Sequence, residues 1–272
     1  MAKFLVQKSG PLNGEVVISG AKNAVLPLMA SALLAEEPCV LRDVPALRDV
    51  EVITEILKSL GSEIKQVEES IIEINTPEIK SNEADYDLVS KMRASFLIMG
   101  PLLARTGRAK VYAPGGCTIG ARPIDLHLKA FQKLGINIEE NYGFIRCSCD
   151  KIIGADINLD FPSVGATENI ILATVLAEGV TTISNAAMEP EIEDLANFLN
   201  KMGAKIEGAG TKFIKITGVK QLKDVGYKIM PDRIETGTYL CMAGATNGKV
   251  KLINTIPEHI APVIDKLIEM RL

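Results

Sequence analysis

Residues 21–64, AKNAVLPLMASALLAEEPCVLRDVPALRDVEVITEILKSLGSEI, form a unit that the chain repeats. The unit aligns without gaps to residues 163–206, SVGATENIILATVLAEGVTTISNAAMEPEIEDLANFLNKMGAKI. In both copies a Leu-Ala-Glu lies the same distance before a glycine, which is Gly61 in the first copy and Gly203 in the other. A repeat of this length predicts a fold assembled from copies of one supersecondary unit.

Each unit reads as an apolar helix, a strand, an amphipathic helix ended by its glycine, and two short strands. The amphipathic helix of the first unit has an apolar stripe suited to packing on a sheet. The stripe consists of Ile53, Ile56, Leu57 and Leu60. The pattern predicts an α/β (α+β) fold of repeated helix-strand units.

Two further copies are visible. The third begins near Arg93 and has extra residues at 114–123, PGGCTIGARP. The fourth begins at residue 237 and runs into a helix over 261–270, so it ends before its last two strands. Extra residues in a repeat usually form loops on the face that binds ligands, so residues 114–123 are a candidate functional loop.

The repeats predict the domain organisation. We expect residues 22–229 to form a complete three-repeat domain, and residues 1–21 and 230–272 to be an incomplete part of a second domain. We also expect the chain to be a truncated form that could self-associate through apolar surface on the incomplete domain.

The composition excludes several classes of protein. The 272 residues include 30 Lys and Arg and 34 Asp and Glu, and the Lys and Arg residues do not cluster in a basic run. A nucleic-acid-binding surface is therefore not expected. The apolar stretches are far shorter than the roughly 18 residues of a membrane span, and no secretory signal is visible, so we expect a cytoplasmic protein with no membrane partner. Five cysteines without a CxxC pair are typical of reduced thiols, and two histidines exclude a three-histidine metal site.

The loop at 114–123 places Cys117 among glycines and near Arg122. Glycines make a loop mobile, which suits a reactive thiol on a lid, and a nearby guanidinium favours the thiolate. Such a thiol could act as a nucleophile or as a proton donor. The alternative is that Cys117 is a small buried apolar residue, as most free cysteines are.

The three complete units all have polar or small residues at the start of their first helix. These are Lys22 with Asn23, Arg93, and the turn Ser163-Val164-Gly165. Backbone N–H groups at a helix start attract anions, so the three starts predict a site for an anionic substrate. The alternative for each start alone is an ordinary helix cap with its charged side chain in solvent.

Cys147, Cys149 and His127 are weaker candidates. Cys147 and Cys149 lie on one face of a predicted strand and would bind a metal only with ligands from elsewhere, so we favour packing. His127 lies in the first turn of a predicted helix. It could hydrogen-bond a substrate, but a histidine there is more often solvated.

Six motifs occur in the order and setting that one enzyme family has. They are Lys22-Asn23, MRAS, PGGCTIGARP, SVGAT, EPEIEDLANFL and PDRIETGT. On these motifs, nearly the whole sequence resembles the UDP-N-acetylglucosamine enolpyruvyl transferases (1-carboxyvinyltransferases). The resemblance implies two domains, each of three repeats in a pseudo-threefold, inside-out α/β barrel, with the active site in the cleft between them. It also implies transfer of the enolpyruvyl group of phosphoenolpyruvate to the 3-hydroxyl of UDP-N-acetylglucosamine, with release of phosphate, in the committed step of peptidoglycan synthesis. No metal or organic cofactor is implied.

The resemblance also implies roles for particular residues. Cys117 is implied as the catalytic proton donor on the lid. Lys22 and Arg122 are implied to hold phosphoenolpyruvate, and Asn23 to contact the sugar. The uridine diphosphate is implied to lie on Arg93, on the run Arg122, Pro123, Ile124, Asp125 and Leu126, and on the turn Ser163, Val164 and Gly165.

Two departures from the family leave alternatives open. Phe161 stands where some relatives carry a lysine near the diphosphate, and a further stretch that supplies an aspartate base and more arginines is absent. We therefore expect no turnover from the 272-residue chain itself, and the alternative to an enzyme is a non-catalytic UDP-sugar-binding remnant. A third alternative, the sister transferase that acts on shikimate 3-phosphate, is opposed by Cys117 and by the uridine-site pattern.

Overall fold

The computed structural model describes residues 3, 5, 7, 10–84, 93–112, 124–141 and 143–271, and for residues 93–95 it describes the backbone alone. The chain divides into two compact units, which are Lys22–Ile229 and the combination of Met1–Ala21 with Met230–Leu272. The strands are β1 (Asn13–Val17), β2 (Cys39–Arg42), β3 (Glu63–Glu68), β4 (Ile71–Asn75), β5 (Arg108–Tyr112), β6 (Asn137–Asn141), β7 (Phe144–Ser148), β8 (Asp156–Asn158), β9 (Val180–Ser184), β10 (Lys205–Glu207), β11 (Phe213–Thr217), β12 (Val225–Lys228) and β13 (Lys249–Ile253). The helices are α1 (Lys22–Ser31), α2 (Arg48–Leu60), α3 (Met99–Thr106), α4 (Asp125–Lys133), α5 (Val164–Thr174), α6 (Pro190–Lys201), α7 (Arg233–Ala245) and α8 (Ala261–Glu269), with 3-10 helices at Ala32–Leu34, Arg93–Ile98 and Pro257–Ile260.

The amphipathic helices end where the sequence predicts. Gly61 follows α2 with a φ of 115°, and its N–H donates to the carbonyls of Leu57 and Lys58. A side chain at this φ would be strained, so glycine is the residue that allows the helix to stop there. Gly203 has a φ of 104° after α6, so the two aligned glycines end their helices in the same left-handed conformation.

Each repeat in Lys22–Ile229 builds one small sheet. The strand orders are β12-β2-β4-β3, β5-β7-β6 and β10-β11-β9-β8. Within each repeat the strands pair antiparallel, while β12 and β8 join the first and third sheets as parallel neighbours. The middle sheet has the equivalent parallel bridge between Glu83 and Lys110. Because β12 follows the third repeat and pairs with the first, the three repeats close into a ring with pseudo-threefold order.

The first helix of each repeat lies in the core. Residues 24–31 of α1 are all buried, as are 166–174 of α5 and 99–103 of α3. A helix that is apolar nearly all round belongs in an interior, which explains why α1 and α5 lack an amphipathic stripe. The three sheets cover the helices with one face buried, as the alternating burial of β4 shows.

The second unit contains β1 paired parallel with β13, together with α7 and α8. Asp232 caps α7, because its carboxylate accepts the N–H groups of Ile234 and Glu235 at 2.7 and 3.0 Å. Arg271 has a φ of 62°, so it adopts the left-handed conformation of the glycines that end the aligned helices. Within the described part of the chain, no helix is long and apolar enough to cross a membrane.

Candidate functional site

The start of α1 presents the two polar residues that the sequence singles out. Lys22 and Asn23 are exposed, while the helix behind them is buried. The ammonium of Lys22 pairs with the carboxylate of Asp49, in the first turn of α2, at 2.5 Å. Asp49 is a residue that sequence reasoning missed, because the pair joins two helices that the repeat pattern treats separately. The ion pair fixes the position of a cation at the helix start.

The start of α5 is a capped helix N-terminus. The Ser163 hydroxyl accepts from the backbone N–H of Ala166 at 3.4 Å, and the Thr167 hydroxyl donates to the Ser163 carbonyl at 2.8 Å. Ser163, Val164 and Gly165 are half-buried, so the turn is accessible from outside. An accessible helix start with this geometry can hold a phosphate through backbone N–H groups and the helix dipole.

The start of α4 adjoins a cavity. Ile124 is the N-cap residue and Asp125 is exposed, whereas the half-buried Leu126 lines a cavity of about 400 Å³. Lys129 lies on the same wall, and its ammonium is 2.9 Å from the carboxylate of Asp160. The cavity therefore combines an apolar contact with charged groups, which is a common arrangement in ligand pockets.

His127 brings the starts of α4 and α5 together. Its ring meets Phe96 edge to face, with centroids 5.0 Å apart at 85°, and its Nδ1 lies 3.1 Å from the side-chain nitrogen of Asn169. A β-carbon added to Gly165 would lie 3.4 Å from Cε1 of the ring. The ring is half-buried and contacts Phe96 and Asn169, so His127 is held more firmly than a fully solvated histidine at a helix start.

Other predicted site residues are not placed by the structure. Cys117, Arg122 and Pro123 lie outside the described residues. Arg93 begins the 3-10 helix Arg93–Ile98, but its side chain is not among those described. The structure therefore places the helix starts, and the roles of the helix-start residues and of the loop at 114–123 stay predictions.

Three of the four described thiols, those of Cys39, Cys147 and Cys149, are poor candidates for reactivity. Burial raises the pKa of both Cys39 and Cys147 to about 12, and it also raises the pKa of Cys149. Cys241 is the exposed thiol among them. Cys147 is fully buried, which supports packing, and among the described residues no group of three His, Cys, Asp or Glu side chains could hold a metal.

Glu168 and Asn169 are buried polar residues in α5 that sequence reasoning missed. They are 4% and 0% exposed. Burial, followed by the charges of Glu191 and Glu189, raises the pKa of Glu168 well above its ordinary value. The signal was present in the sequence, because Glu-Asn interrupts the otherwise apolar GATENIILAT.

Glu168 predicts a pH dependence of stability. The folded state keeps a proton that the unfolded chain has released above about pH 4.5, so stability should fall as the pH rises from there towards the raised pKa. Each pH unit in that window lowers the free energy of unfolding by up to about 1.4 kcal/mol. Glu168→Gln should remove the decline when denaturant unfolding is measured at pH 5, 6.5 and 8.

The matched control is Glu69→Gln, which changes an exposed glutamate on the β3–β4 turn. It should keep the decline of the wild type. Equal pH slopes in the wild type and Glu168→Gln would show that Glu168 is ionised in the folded protein.

Comparisons with known proteins define the class to which this fold and site belong. The sequence profile of the family described as EPSP synthase (3-phosphoshikimate 1-carboxyvinyltransferase) matches residues 6–271. The chain therefore belongs to this family of enolpyruvyl transferases. The fold is similar to that of two solved structures. One is the enolpyruvyl transferase NikO from Streptomyces tendae, with a TM-score of 0.76 and 22% identity over 85% of this chain and 55% of that one. The other is EPSP synthase from Acinetobacter baumannii, with a TM-score of 0.70 and 16% identity over 90% of this chain and 56% of that one. The predicted fold class is confirmed.

Within the family, the chain is similar to proteins of one specificity. It is 57% identical over 269 residues to UDP-N-acetylglucosamine 1-carboxyvinyltransferase 2 of Carboxydothermus hydrogenoformans, covering 99% of this chain. It is 55% identical over 267 residues to UDP-N-acetylglucosamine 1-carboxyvinyltransferase 1 of Caldanaerobacter subterraneus, covering 98% of this chain. The chain spans 64% of the length of each of these relatives.

Proposed function

We propose that these 272 residues belong to an enzyme that transfers the enolpyruvyl group of phosphoenolpyruvate to the 3-hydroxyl of UDP-N-acetylglucosamine and releases phosphate, a reaction that also needs the aspartate base and arginines that the 272 residues lack. The observation that carries the proposal is the 57% identity to a transferase of that name over 99% of this chain. The geometry supports it, because three helix starts of one three-repeat ring carry cationic, amide or small residues suited to anionic substrates.

We assign the phosphoenolpyruvate end of the reaction to Lys22, Arg122 and Cys117. The Lys22 ammonium and the Arg122 guanidinium neutralise the carboxylate and phosphate of the substrate. Cys117 donates a proton to the methylene carbon, which makes the adjacent carbon electrophilic towards the sugar hydroxyl. The sugar hydroxyl adds to that carbon while a base takes the hydroxyl proton, which gives a tetrahedral adduct. A methyl proton of the adduct then returns to the Cys117 thiolate, the double bond re-forms and the bond to the departing phosphate breaks, so the thiol undergoes no net change.

We assign the nucleotide-sugar end to Asn23, Arg93, the run 122–126 and the turn at 163–165. The α5 start supplies backbone N–H groups for the diphosphate, and the Ser163 hydroxyl fixes the first turn that presents them. Leu126 and its cavity provide an apolar surface beside the same region. Asn23 is exposed at the start of α1, where its amide can bind the sugar.

Binding of UDP-N-acetylglucosamine tests the nucleotide-sugar assignment. Arg93→Ala and Arg122→Ala should each weaken binding by about 1.5 to 3 kcal/mol, the scale of a charge-assisted hydrogen bond. Calorimetry measures this directly. Arg108→Ala removes an exposed arginine of β5 and should leave the affinity unchanged. Unchanged affinity in both site variants would place the nucleotide elsewhere.

The sister reaction with shikimate 3-phosphate is the competing function, because the family profile and one structural relative carry that specificity. The two are separated by comparing phosphate release with each acceptor. We assign the reaction to the cytoplasmic supply of peptidoglycan precursors, and the free thiols of the described residues support a reducing compartment.

A further inference from the structure

Helices α6 and α4 are the second helices of the third and middle repeats. α6 packs on β12, and α4 packs on β8. Gly203 follows α6 and Gly135 follows α4, with φ values of 104° and 80°. In both cases the N–H of the residue after the glycine donates at 3.0 Å to the carbonyl of the residue four places before the glycine. The two glycines therefore mark one position, and Phe198 in α6 corresponds to Ala130 in α4.

The strands beside these helices can be aligned by their pairing. β12 pairs parallel with β2, where Tyr227 lies opposite Leu41. β8 pairs parallel with β9, where Ile157 lies opposite Ile183. Leu41 and Ile183 align in the repeated unit. Ile157 therefore takes the place in its sheet that Tyr227 has in the other.

Two aromatic side chains fill the junction of α6 and β12. The rings of Phe198 and Tyr227 meet edge to face, with centroids 5.3 Å apart at 80°. The ammonium of Lys201 lies 4.8 Å from the centroid of the Tyr227 ring. The Tyr227 hydroxyl donates to the carboxylate of Asp194 at 2.7 Å. An aromatic pair, a cation and a hydroxyl acceptor thus close this junction.

The junction of α4 and β8 lacks both aromatic side chains. Ala130 and Ile157 stand in their places, and a cavity of about 400 Å³ remains between the helix and the strand. Both residues line this cavity. Close packing is the rule in protein interiors, so an opening at one of two equivalent junctions is a feature that calls for an occupant.

Two further lining residues indicate the chemistry of the occupant. Lys133 lines the cavity and corresponds to Lys201, so the cation beside the aromatic position is kept. Leu126 also lines it and corresponds to Asp194, so an apolar side chain replaces the acceptor of the tyrosine hydroxyl. The cavity therefore has the cation and the apolar wall that suit an aromatic ring without a polar substituent.

We propose that this cavity is a binding site for an aryl group, the unsubstituted aromatic ring of a small molecule. The ring occupies the space that Phe198 and Tyr227 fill at the other junction. Apart from Leu126, the lining consists of residues 129–133 of α4 and residues 157–160. The site is therefore separate from the helix starts that we assign to the nucleotide sugar, and the inference does not use the proposed function.

Toluene and p-cresol, the side-chain analogues of phenylalanine and tyrosine, test the site on the 272-residue chain. Ligand-observed NMR measures binding, and a rise in melting temperature reports binding to the folded state. Toluene should bind saturably. p-Cresol should bind at least about fivefold more weakly, because Leu126 stands where Asp194 accepts the tyrosine hydroxyl. UDP-N-acetylglucosamine should not displace toluene.

Two variants that fill the cavity test where toluene binds. Ala130→Phe rebuilds the ring of Phe198 and should weaken toluene binding at least about tenfold. Ile157→Tyr rebuilds the ring of Tyr227 and should have the same effect. Thermal melts identify a variant that does not fold, and the other variant then gives the result.

A pair of lysine variants tests the cation. Lys133→Met keeps an apolar stem and should weaken toluene binding about threefold, the scale of a cation–π contact at an exposed site. Lys205→Met removes an exposed lysine from β10, at the opposite edge of the sheet that contains β8, and should leave the affinity unchanged. The inference would be overturned by an absence of saturable toluene binding, by unchanged affinity in a folded filling variant, or by displacement of toluene by UDP-N-acetylglucosamine.

Discussion

Replacement of Cys117 by alanine should lower kcat by at least about a hundredfold, the usual scale for removing a general acid. The expectation follows from the proposed protonation of the phosphoenolpyruvate methylene. The substrate affinity should change little, because the thiol is not assigned a binding role. Steady-state phosphate release, measured on the product of the complete reading frame, separates kcat from KM.

The same cysteine should be the site of alkylation by fosfomycin, an epoxide that resembles phosphoenolpyruvate. The buried thiols Cys39 and Cys147 have pKa values raised to about 12, so they supply little thiolate at neutral pH. Cys241→Ser is the matched control, since Cys241 is exposed. It should retain full labelling and activity. Peptide mapping that finds the label mainly on another cysteine would contradict the assignment.

Replacement of Arg105 by alanine should destabilise the Lys22–Ile229 unit by about 3 kcal/mol. Arg105 lies in the last turn of α3, and one of its guanidinium nitrogens donates to the carbonyls of Leu33 and Ala35 at 2.9 and 3.0 Å. Its side chain is only 13% exposed. Truncation would therefore leave carbonyl groups without their donor where the first and middle repeats meet.

Denaturant unfolding measures this loss of stability. Arg108→Ala is the control, because it removes the same side chain from an exposed position in the next strand. It should change the free energy of unfolding by no more than about 0.5 kcal/mol. Equal effects of the two substitutions would mean that the carbonyl contacts of Arg105 contribute nothing to the repeat interface.

The repeated architecture could be predicted from the sequence, because it rests on local patterns. The gapless alignment places Cys39 against Thr181, and these residues lie at equivalent places in β2 and β9. Gly61 and Gly203 mark helix ends through their own backbone preference. Such signals depend on a few neighbouring residues, so one sequence is enough to detect them.

The contacts that organise the candidate site could not be predicted in this way. The pairs Lys22 with Asp49 and His127 with Asn169 join residues far apart in the chain. His127 could be recognised only as a helix-start histidine, and its partner sits in a different repeat. Glu168 and Asn169, two polar residues in the otherwise apolar α5, were the sequence signal for a buried polar contact. The sequence does not show which residues they contact, because those contacts form only in the folded ring of repeats.

Acceptor-dependent phosphate release from phosphoenolpyruvate tests the proposed function most directly. The product of the complete reading frame is mixed with phosphoenolpyruvate and either UDP-N-acetylglucosamine or shikimate 3-phosphate, and phosphate and enolpyruvyl products are quantified together. We predict that phosphate is released when the acceptor is UDP-N-acetylglucosamine and not when it is shikimate 3-phosphate, with one enolpyruvyl-UDP-N-acetylglucosamine formed for each phosphate. Release with shikimate 3-phosphate instead, or binding of the nucleotide sugar without any release, would contradict it.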